Sequence, residues 1–416
     1  MEIEIVAVGN ELLLGETVDT NSAHAARRLA ETGVRVVRTT HVGDDHARLV
    51  ALFGEVRARS PWAITMGGLG PTHDDVTREA VAEAFGLPLE EDAAALAEVE
   101  ERFRRHGWEM PPSNRRQAMV PRGARVLPNP NGTAPGLVVG DGSCTFFVLP
   151  GVPSEMKPML ETAVLPVLAE AAGDGATVVK SHVVHTIGIG ESALAERLDG
   201  VVRQAGDVQV AFLPHLGQVD VRLTAAGLPA AEAEGRLREL VDRVVEGARP
   251  WVYGTDGASV DEAIGDALAH RGWRVAVAES CTAGELGMEL TRTAGSSAWF
   301  AGGVLAYANE VKASALGVPA DTLARHGAVS EETCRAMIEG VRARLGAEVG
   351  CATTGIAGPG GGSVEKPVGL VWYGVGTPEG TEVRRSLFPG DRAGVRRRAA
   401  LATLALLLRV ARGGAA

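Results

Sequence analysis

The chain has 416 residues, 45% of them hydrophobic and 22% charged, with 41 Lys and Arg against 52 Asp and Glu for a formal charge of -11. That length exceeds one ordinary core and predicts two or three domains, while the acidic balance opposes any electrostatic pull toward nucleic acid or an anionic membrane. Four cysteines, Cys144, Cys281, Cys334 and Cys351, form no CxxC pair, which speaks against a disulfide scaffold and a zinc site and fits a reducing, cytoplasmic setting.

The N-terminus reads straight into a strand, so no signal peptide is expected. The apolar run Leu401 to Leu408 is too short to span a bilayer. From Ile3 to Val8 the residues are mostly β-branched, and they end in Gly9, Asn10 and Glu11. Helical spacing over Thr20 to Ala30 and Ala47 to Val56 alternates with strand patterns at Val34 to Thr40 and Trp62 to Met66, which predicts a parallel sheet with helices on both faces. Ligands of such sheets gather at the carboxyl ends of the strands. The loops there, Gly9 to Glu11, Gly43 to Asp45 and Gly67 to Asp75, should converge on one crevice.

The stretch Gly67 to Thr77, GGLGPTHDDVT, joins a strand to a helix. Glycines there let an anion approach free backbone N–H groups, and Asp74 and Asp75 put carboxylates beside it, a combination suited to a divalent cation bridging carboxylate and phosphate. Helix capping and turn formation account for the same residues without a ligand. Capping and metal binding are equal readings for Asp44 and Asp45. After a helix near Ala93 to Arg105, Arg115 and Arg116 could reach a phosphate or simply meet water. The loop Asn129 to Gly136, with Gly132 and Thr133, is a second cradle, and Ser154, Glu155 and Lys157 open a helix after the strand Thr145 to Leu149.

The motifs GNELLLGETVDTN, GGLGPTHDDVT, NPNGTAPG and LPGVPSEM resemble, in this order, the N-terminal domain of the CinA family, the competence/damage-inducible proteins, whose fold is that of molybdopterin-binding enzymes. The resemblance implies a metal-dependent pyrophosphatase acting on ADP-ribose or a similar nucleotide diphosphate. Its expected metal is divalent, Mg or Co, at Asp44, Asp74 and Asp75, with a monovalent cation as a further expectation. The expected substrate contacts are Gly9, Asn10, Glu11, Gly67, Gly68, Gly70, Thr72, Gly132, Thr133, Ser154, Glu155 and Lys157.

From Thr177 to about Gly254 strands at Ser181 to Ile187, Val208 to Phe212 and Asp220 to Thr224, with helices at Ser192 to Val202 and Ala230 to Val245, predict a small α+β unit. Gly188-Ile189-Gly190-Glu191 matches the GxxG loop of KH domains only superficially, because it carries no Lys or Arg and Glu191 follows directly. A linking or dimer-forming role is preferred to nucleic-acid binding, and CinA-like chains carry a comparable KH-type segment.

In the last domain a strand over Arg274 to Ala278 ends at Glu279-Ser280-Cys281-Thr282-Ala283-Gly284 before a helix from Glu285. A serine at that step lies near free N–H groups and is a candidate nucleophile, or an N-cap. Cys281 has no histidine partner and is read as structural. Lys312, in the segment that also holds Tyr307, can act as base if poor solvation lowers its pKa; an ordinary surface lysine is the alternative. His326 sits in a loop that caps the next helix. The loop Thr353 to Gly362 suits a ribose-phosphate or an acyl group, and Arg392 and Arg396 to Arg398 offer cations.

AESCTAG, YANEVK, HGAVS, TTGIAGPGGG and KPVG resemble the C-terminal CinA domain, whose relatives are nicotinamide-mononucleotide deamidases. The resemblance implies that Ser280 attacks the carboxamide carbon, Lys312 takes its proton with help from Tyr307, and Thr354 with loop N–H groups orients substrate and oxyanion, without a cofactor. Expected contacts are Thr282, Gly284, Gly355, Gly358, Arg392 and Arg396. Ala283 departs from the family, which usually has a glycine there.

The expectation is therefore an α/β chain with two parallel-sheet sandwich domains, at 1–175 and 259–416, joined by a KH-like domain at 176–254. It would recycle pyridine nucleotides, as a homodimer whose partners are small-molecule nucleotides. A non-catalytic partner in DNA uptake or repair, and a molybdopterin-binding protein, are the alternatives.

Overall fold

The computed structural model describes residues 1–173 and 176–414, so the boundary expected at residue 175 and the last two residues lie outside the described residues. Two compact units result, one of 1–180 with 225–234 and one of 181–224 with 235–416.

In the first unit the strand Glu2–Val8 is buried at every position after Glu2, as a central parallel strand must be. Glu4 is tolerated there because Arg59 meets both its carboxylate oxygens at 2.8 Å. The sheet runs Arg35–Val42, Glu2–Val8, Trp62–Met66, Thr145–Leu149, Gly136–Gly140 and Arg125–Leu127, in that spatial order. Its first four strands are parallel, as expected, but the last two pair antiparallel, so the sheet is mixed. Apolar clusters fill both faces, one around Leu49, Phe53, Val81 and Phe146, the other around Ile5, Leu29, Phe147 and Met159. The helix Thr20–Glu31 starts where the Asp19 carboxylate accepts from Ser22 N, and His46–Arg59 starts where Asp45 accepts from Arg48 N.

The middle segment is the α+β unit read from the sequence. Gln209–His215 pairs antiparallel with Gln218–Pro229, and Val252–Thr255 with Thr177–Ile187. In the loop that superficially matches GxxG, Gly188 packs on protein, where a Cβ would lie 2.9 Å from the Ala405 methyl and 3.9 Å from Trp251, while Gly190 faces open space.

The last sheet runs Phe300–Leu305, Val275–Glu279, Val349–Gly355, Leu370–Thr377 and Gly380–Leu387. The first three strands are parallel and the last two antiparallel. The long helix Arg392–Ala411 covers one face with Leu401, Leu404, Leu407 and Leu408, and Glu331–Leu345 covers the other with Met337, Ile338 and Val341. Among the described residues no helix is long and apolar enough to cross a membrane.

Candidate functional sites

In the first unit the loops at the carboxyl ends of the parallel strands converge, as expected, on one cavity of about 580 Å3. Gly9, Glu11, Asp44, Gly67, Gly68, Gly70, Asp74, Asp75, Thr133 and Glu155 line it. Two loops are stitched together by Asn10, whose N–H donates to Asp44 Oδ2 at 2.9 Å and whose Oδ1 accepts from Asp44 N at 3.3 Å. Asp44 thus lines the cavity, while Asp45 caps a helix, one of the two readings left open for it by sequence. Burial raises the Asp44 pKa, and the charges of Glu11, Asp74 and Asp75 raise it further. Those carboxylates therefore feel one another, yet among the described residues no three acidic or metal-binding side chains stand close enough to hold a metal as placed. Asp75 is instead drawn into its own loop, accepting from Thr72 N at 2.9 Å and from the Thr72 hydroxyl.

Gly67 is required by space as well as by angle. Its φ is +112°, and a Cβ would lie 2.2 Å from Val8 O. Gly132 packs directly on the Glu155 carboxylate, which accepts from Asn129 Nδ2 at 2.6 Å. Ser154 is exposed and uses its carbonyl on Asn131, and Lys157 is absent from the cavity wall. Arg116 does not reach out for phosphate: it holds the glycine loop at Thr72 O and Asp75 O and pairs with Glu79 at 2.8 Å. Arg115 pairs with Glu91.

Three residues of this site were missed by the sequence reading. Asn129 is buried and accepts from Asn131 N and Gly132 N, which shapes the second cradle; Asn before Pro and Gly was the available signal. Gln117 lines the cavity. Arg78 is fully buried beneath the glycine loop, donates to Leu69 O at 2.9 Å, and is pulled down to about 10 by desolvation.

In the second unit the strand Val275–Glu279 delivers Ser280, and the helix Asn309–Leu316 delivers Lys312. Both are buried, at 8% and 1% exposure, and Lys312 Nζ lies 3.1 Å from Ser280 Oγ. The other acceptors of Nζ are Ala306 O at 2.9 Å and Tyr307 O at 3.1 Å. Lys312 is thus no surface lysine, and burial lowers its pKa, opposed by Cys281 and Glu310. A neutral amine here can place its two protons on the two carbonyls and aim its lone pair at the serine hydroxyl. The Cys281 thiol is pushed up to about 12, chiefly by burial, which leaves it protonated and inert at neutral pH.

The helix N-terminus after Ser280 is not open to an oxyanion, contrary to the sequence reading. Glu279, buried at the strand end, accepts from Gly284 N at 2.9 Å, Leu286 N at 3.1 Å and Gly287 N at 2.8 Å. A carboxylate in an apolar strand reads as an exposed end, so this role was invisible in sequence. Thr282 is structural as well, with its hydroxyl 2.7 Å from Thr353 Oγ1 and its carbonyl accepting from Arg396 Nε and Nη2. Arg396 therefore supports the serine turn. Thr354 is buried and donates to Ala328 O at 2.6 Å, so its hydroxyl proton is engaged. Tyr307 supplies its carbonyl to Lys312, while the hydroxyl of its exposed ring accepts from Arg392 Nη2 at 2.9 Å. Arg392 also donates to Gly358 O at 2.7 Å. Gly355 is confined by Leu370 O, 2.6 Å from a Cβ built on it. His326 pairs with Glu332 at 3.2 Å and does not contact Ser280.

Ala283 stands at φ +49°, the left-handed region that costs a residue with a Cβ roughly 1–2 kcal/mol. Ala283→Gly is therefore expected to leave stability unchanged or raise it by up to about 1 kcal/mol, the strain relief slightly exceeding the added chain entropy. Urea denaturation checks this; a loss of about 1 kcal/mol, as for a helical Ala→Gly, would contradict it.

The comparisons agree with this architecture. The family described as "CinA C-terminal domain" matches residues 257–411, "Damage-inducible protein CinA KH domain" matches 181–254, and "Probable molybdopterin binding domain" matches 4–170. A CinA-like protein of Gemmatimonas aurantiaca is 46% identical over 98% of this chain and 96% of its own. Another, from Parasynechococcus marenigrum, is 45% identical over 94% of this chain and 93% of its own. The crystal structure of CinA from Thermoplasma acidophilum is 35% identical, covering 40% of this chain and 99% of that one at a TM-score of 0.38. Full-length identity at this level, with all three domain families in order, makes the chain a member of the CinA family.

Proposed function

We propose that the second unit hydrolyses the carboxamide of nicotinamide mononucleotide, with Ser280 as nucleophile and Lys312 as base. The observation that carries this is the 3.1 Å contact between Lys312 Nζ and Ser280 Oγ in a buried setting where the amine is pushed toward its neutral form. Lys312 takes the hydroxyl proton as Oγ bonds to the amide carbon. The ammonium then returns that proton to the departing nitrogen, which leaves as ammonia. Water, deprotonated by the same amine, cleaves the acyl-serine and yields nicotinic acid mononucleotide. With the Glu279 carboxylate consuming the helix amides, the oxyanion falls to the turn itself, at the amides of Thr282 and Ala283. Tyr307 and Arg392, paired at the exposed rim, suit the ribose phosphate.

For the first unit the reading is hydrolysis of a diphosphate such as that of ADP-ribose. Five carboxylates and five glycines on one cavity wall support it: Glu11, Asp44, Asp74, Asp75 and Glu155 with Gly9, Gly67, Gly68, Gly70 and Gly151. The oxygen donors suit a hard divalent cation such as Mg only together with the substrate's own phosphate oxygens, because Asp44, Asp74 and Asp75 do not by themselves close on one point; with the diphosphate bound they would hold it, and it would polarise the phosphates. Glycine amides would hold the phosphates, and Asn10 keeps Asp44 turned inward. A homodimer in the cytoplasm completes the proposal.

Mass-spectrometric product analysis of the purified protein, with and without divalent metal, tests both activities. Nicotinamide mononucleotide should gain the mass of amide-to-acid conversion without metal, and Ser280→Ala should abolish that alone. ADP-ribose should be cleaved only with metal and equally by Ser280→Ala. No change in either substrate would remove both activities and leave the binding-partner reading.

A further inference from the structure

A cavity of about 460 Å3 in the second unit belongs to neither site above. Val245, Val252 and Tyr253 form its apolar wall, Thr255 adds a hydroxyl, and Arg249 and Arg412 face the same space. A volume of this size is typical of small-molecule sites.

The two arginines are the unusual feature. Arg412 follows the end of the helix Arg392–Ala411, is exposed, and spends one donor on Val252 O at 2.6 Å. Desolvation of the guanidinium and the charge of Arg249 both pull its pKa below the usual guanidinium value. Among the described residues it has no carboxylate partner in an ion pair. Arg249 has Glu246, 3.1 Å away, but those side chains are 68% and 73% exposed, so water and salt screen the pair. Two guanidinium groups brought to one cavity repel each other, and in a chain of charge -11 nothing forces them together. An anion between them reverses the sign of that interaction.

The cavity rim is fixed without the ligand. Arg197 donates to Gly247 O at 2.6 Å and Arg249 O at 3.3 Å, and its guanidinium lies 5.0 Å from the Trp251 ring centroid. Tyr253 is held by stacking on His185 at 5.4 Å. Planar guanidinium forks match phosphate oxygens, and the valines with the tyrosine ring offer contact to an apolar body.

We propose that this cavity binds a small phosphomonoester carrying a ring-bearing body, a mononucleotide being the fitting class, with Arg249 and Arg412 on the phosphate. AMP is the probe, with inorganic phosphate and adenosine as controls, on the full-length protein in metal-free buffer. Calorimetry gives affinity, and hydrogen–deuterium exchange over residues 245–256 reports the place. AMP should bind more tightly than either control, slow exchange in that segment, and lose at least about tenfold in affinity in Arg412→Gln. Hydrolysis at Ser280 should be unchanged. If Arg412→Gln fails to fold, the exposed Arg249→Gln carries the same expectation. Unaltered AMP affinity in the folded variants, no protection of 245–256, or equal affinity for phosphate or adenosine alone would overturn the proposal, whatever the outcome at Ser280.

Discussion

Lys312→Met is expected to lower kcat for carboxamide hydrolysis by about 10²–10⁴-fold, the usual worth of a positioned base, while KM changes little. Methionine keeps the length and apolar stem of lysine and removes the nitrogen, so the packing of a residue that is 1% exposed is retained. The pH profile supplies the second readout. Only the neutral amine can accept the Ser280 proton, so kcat/KM should rise as pH climbs through the Lys312 pKa, which burial sets below 10.5. The stability sign follows from the same shift. Between the lowered folded pKa and the unfolded value the unfolded chain binds more protons, so this residue's contribution becomes more favourable as pH rises across that window. Lys312→Met removes that dependence and should melt no lower than wild type at neutral pH. A folded Lys312→Met enzyme that keeps a tenth of its activity, or a flat pH profile, would exclude lysine as the base.

Gly67→Ala is expected to destabilise the first unit by roughly 2–4 kcal/mol. The new methyl would sit 2.2 Å from Val8 O, a backbone atom of the central strand, at a φ of +112° that side chains rarely adopt. Neither the loop nor the strand can yield without moving the other: Gly67 N donates to Leu149 O at 3.0 Å, and Val8 lies against the same cavity. Metal-dependent ADP-ribose cleavage should fall with the glycine loop. Hydrolysis at Ser280 should persist, because its residues lie in the other compact unit. Denaturation followed by both assays checks this, and a wild-type melting curve with full diphosphate cleavage would contradict the steric argument.

Much of the fold was legible because local pattern and burial agree. Trp62–Met66, Thr145–Leu149 and Ala93–Arg105 have the bounds their patterns announce. Apolar runs of four to six residues, too short for an ordinary helix and flanked by Gly or Pro, read as inner strands leading into loops. The antiparallel edges of both sheets were not legible, since Gly136–Gly140 and Leu370–Thr377 carry the same apolar signal whichever way they run. Side-chain roles divide in the same way. Sequence placed Ser280 and Lys312 at neighbouring loops, but only the packing of Asn309–Leu316 beside the strand Val275–Glu279 brings the amine to 3.1 Å and strips its water.

What the sequence by itself determined is the order of three domains, the loops that carry chemistry, and the residue types available there, because these follow from periodicity and from the conformational demands of glycine. The tertiary structure alone decided which polar groups remain free. Glu279 takes the helix amides near Ser280, Arg116 turns inward to its own loop, Arg396 supports a carbonyl, and Asp44 parts from Asp45. A buried donor or acceptor must be satisfied by whatever the fold brings near it, and that neighbour is usually tens of residues away in the chain.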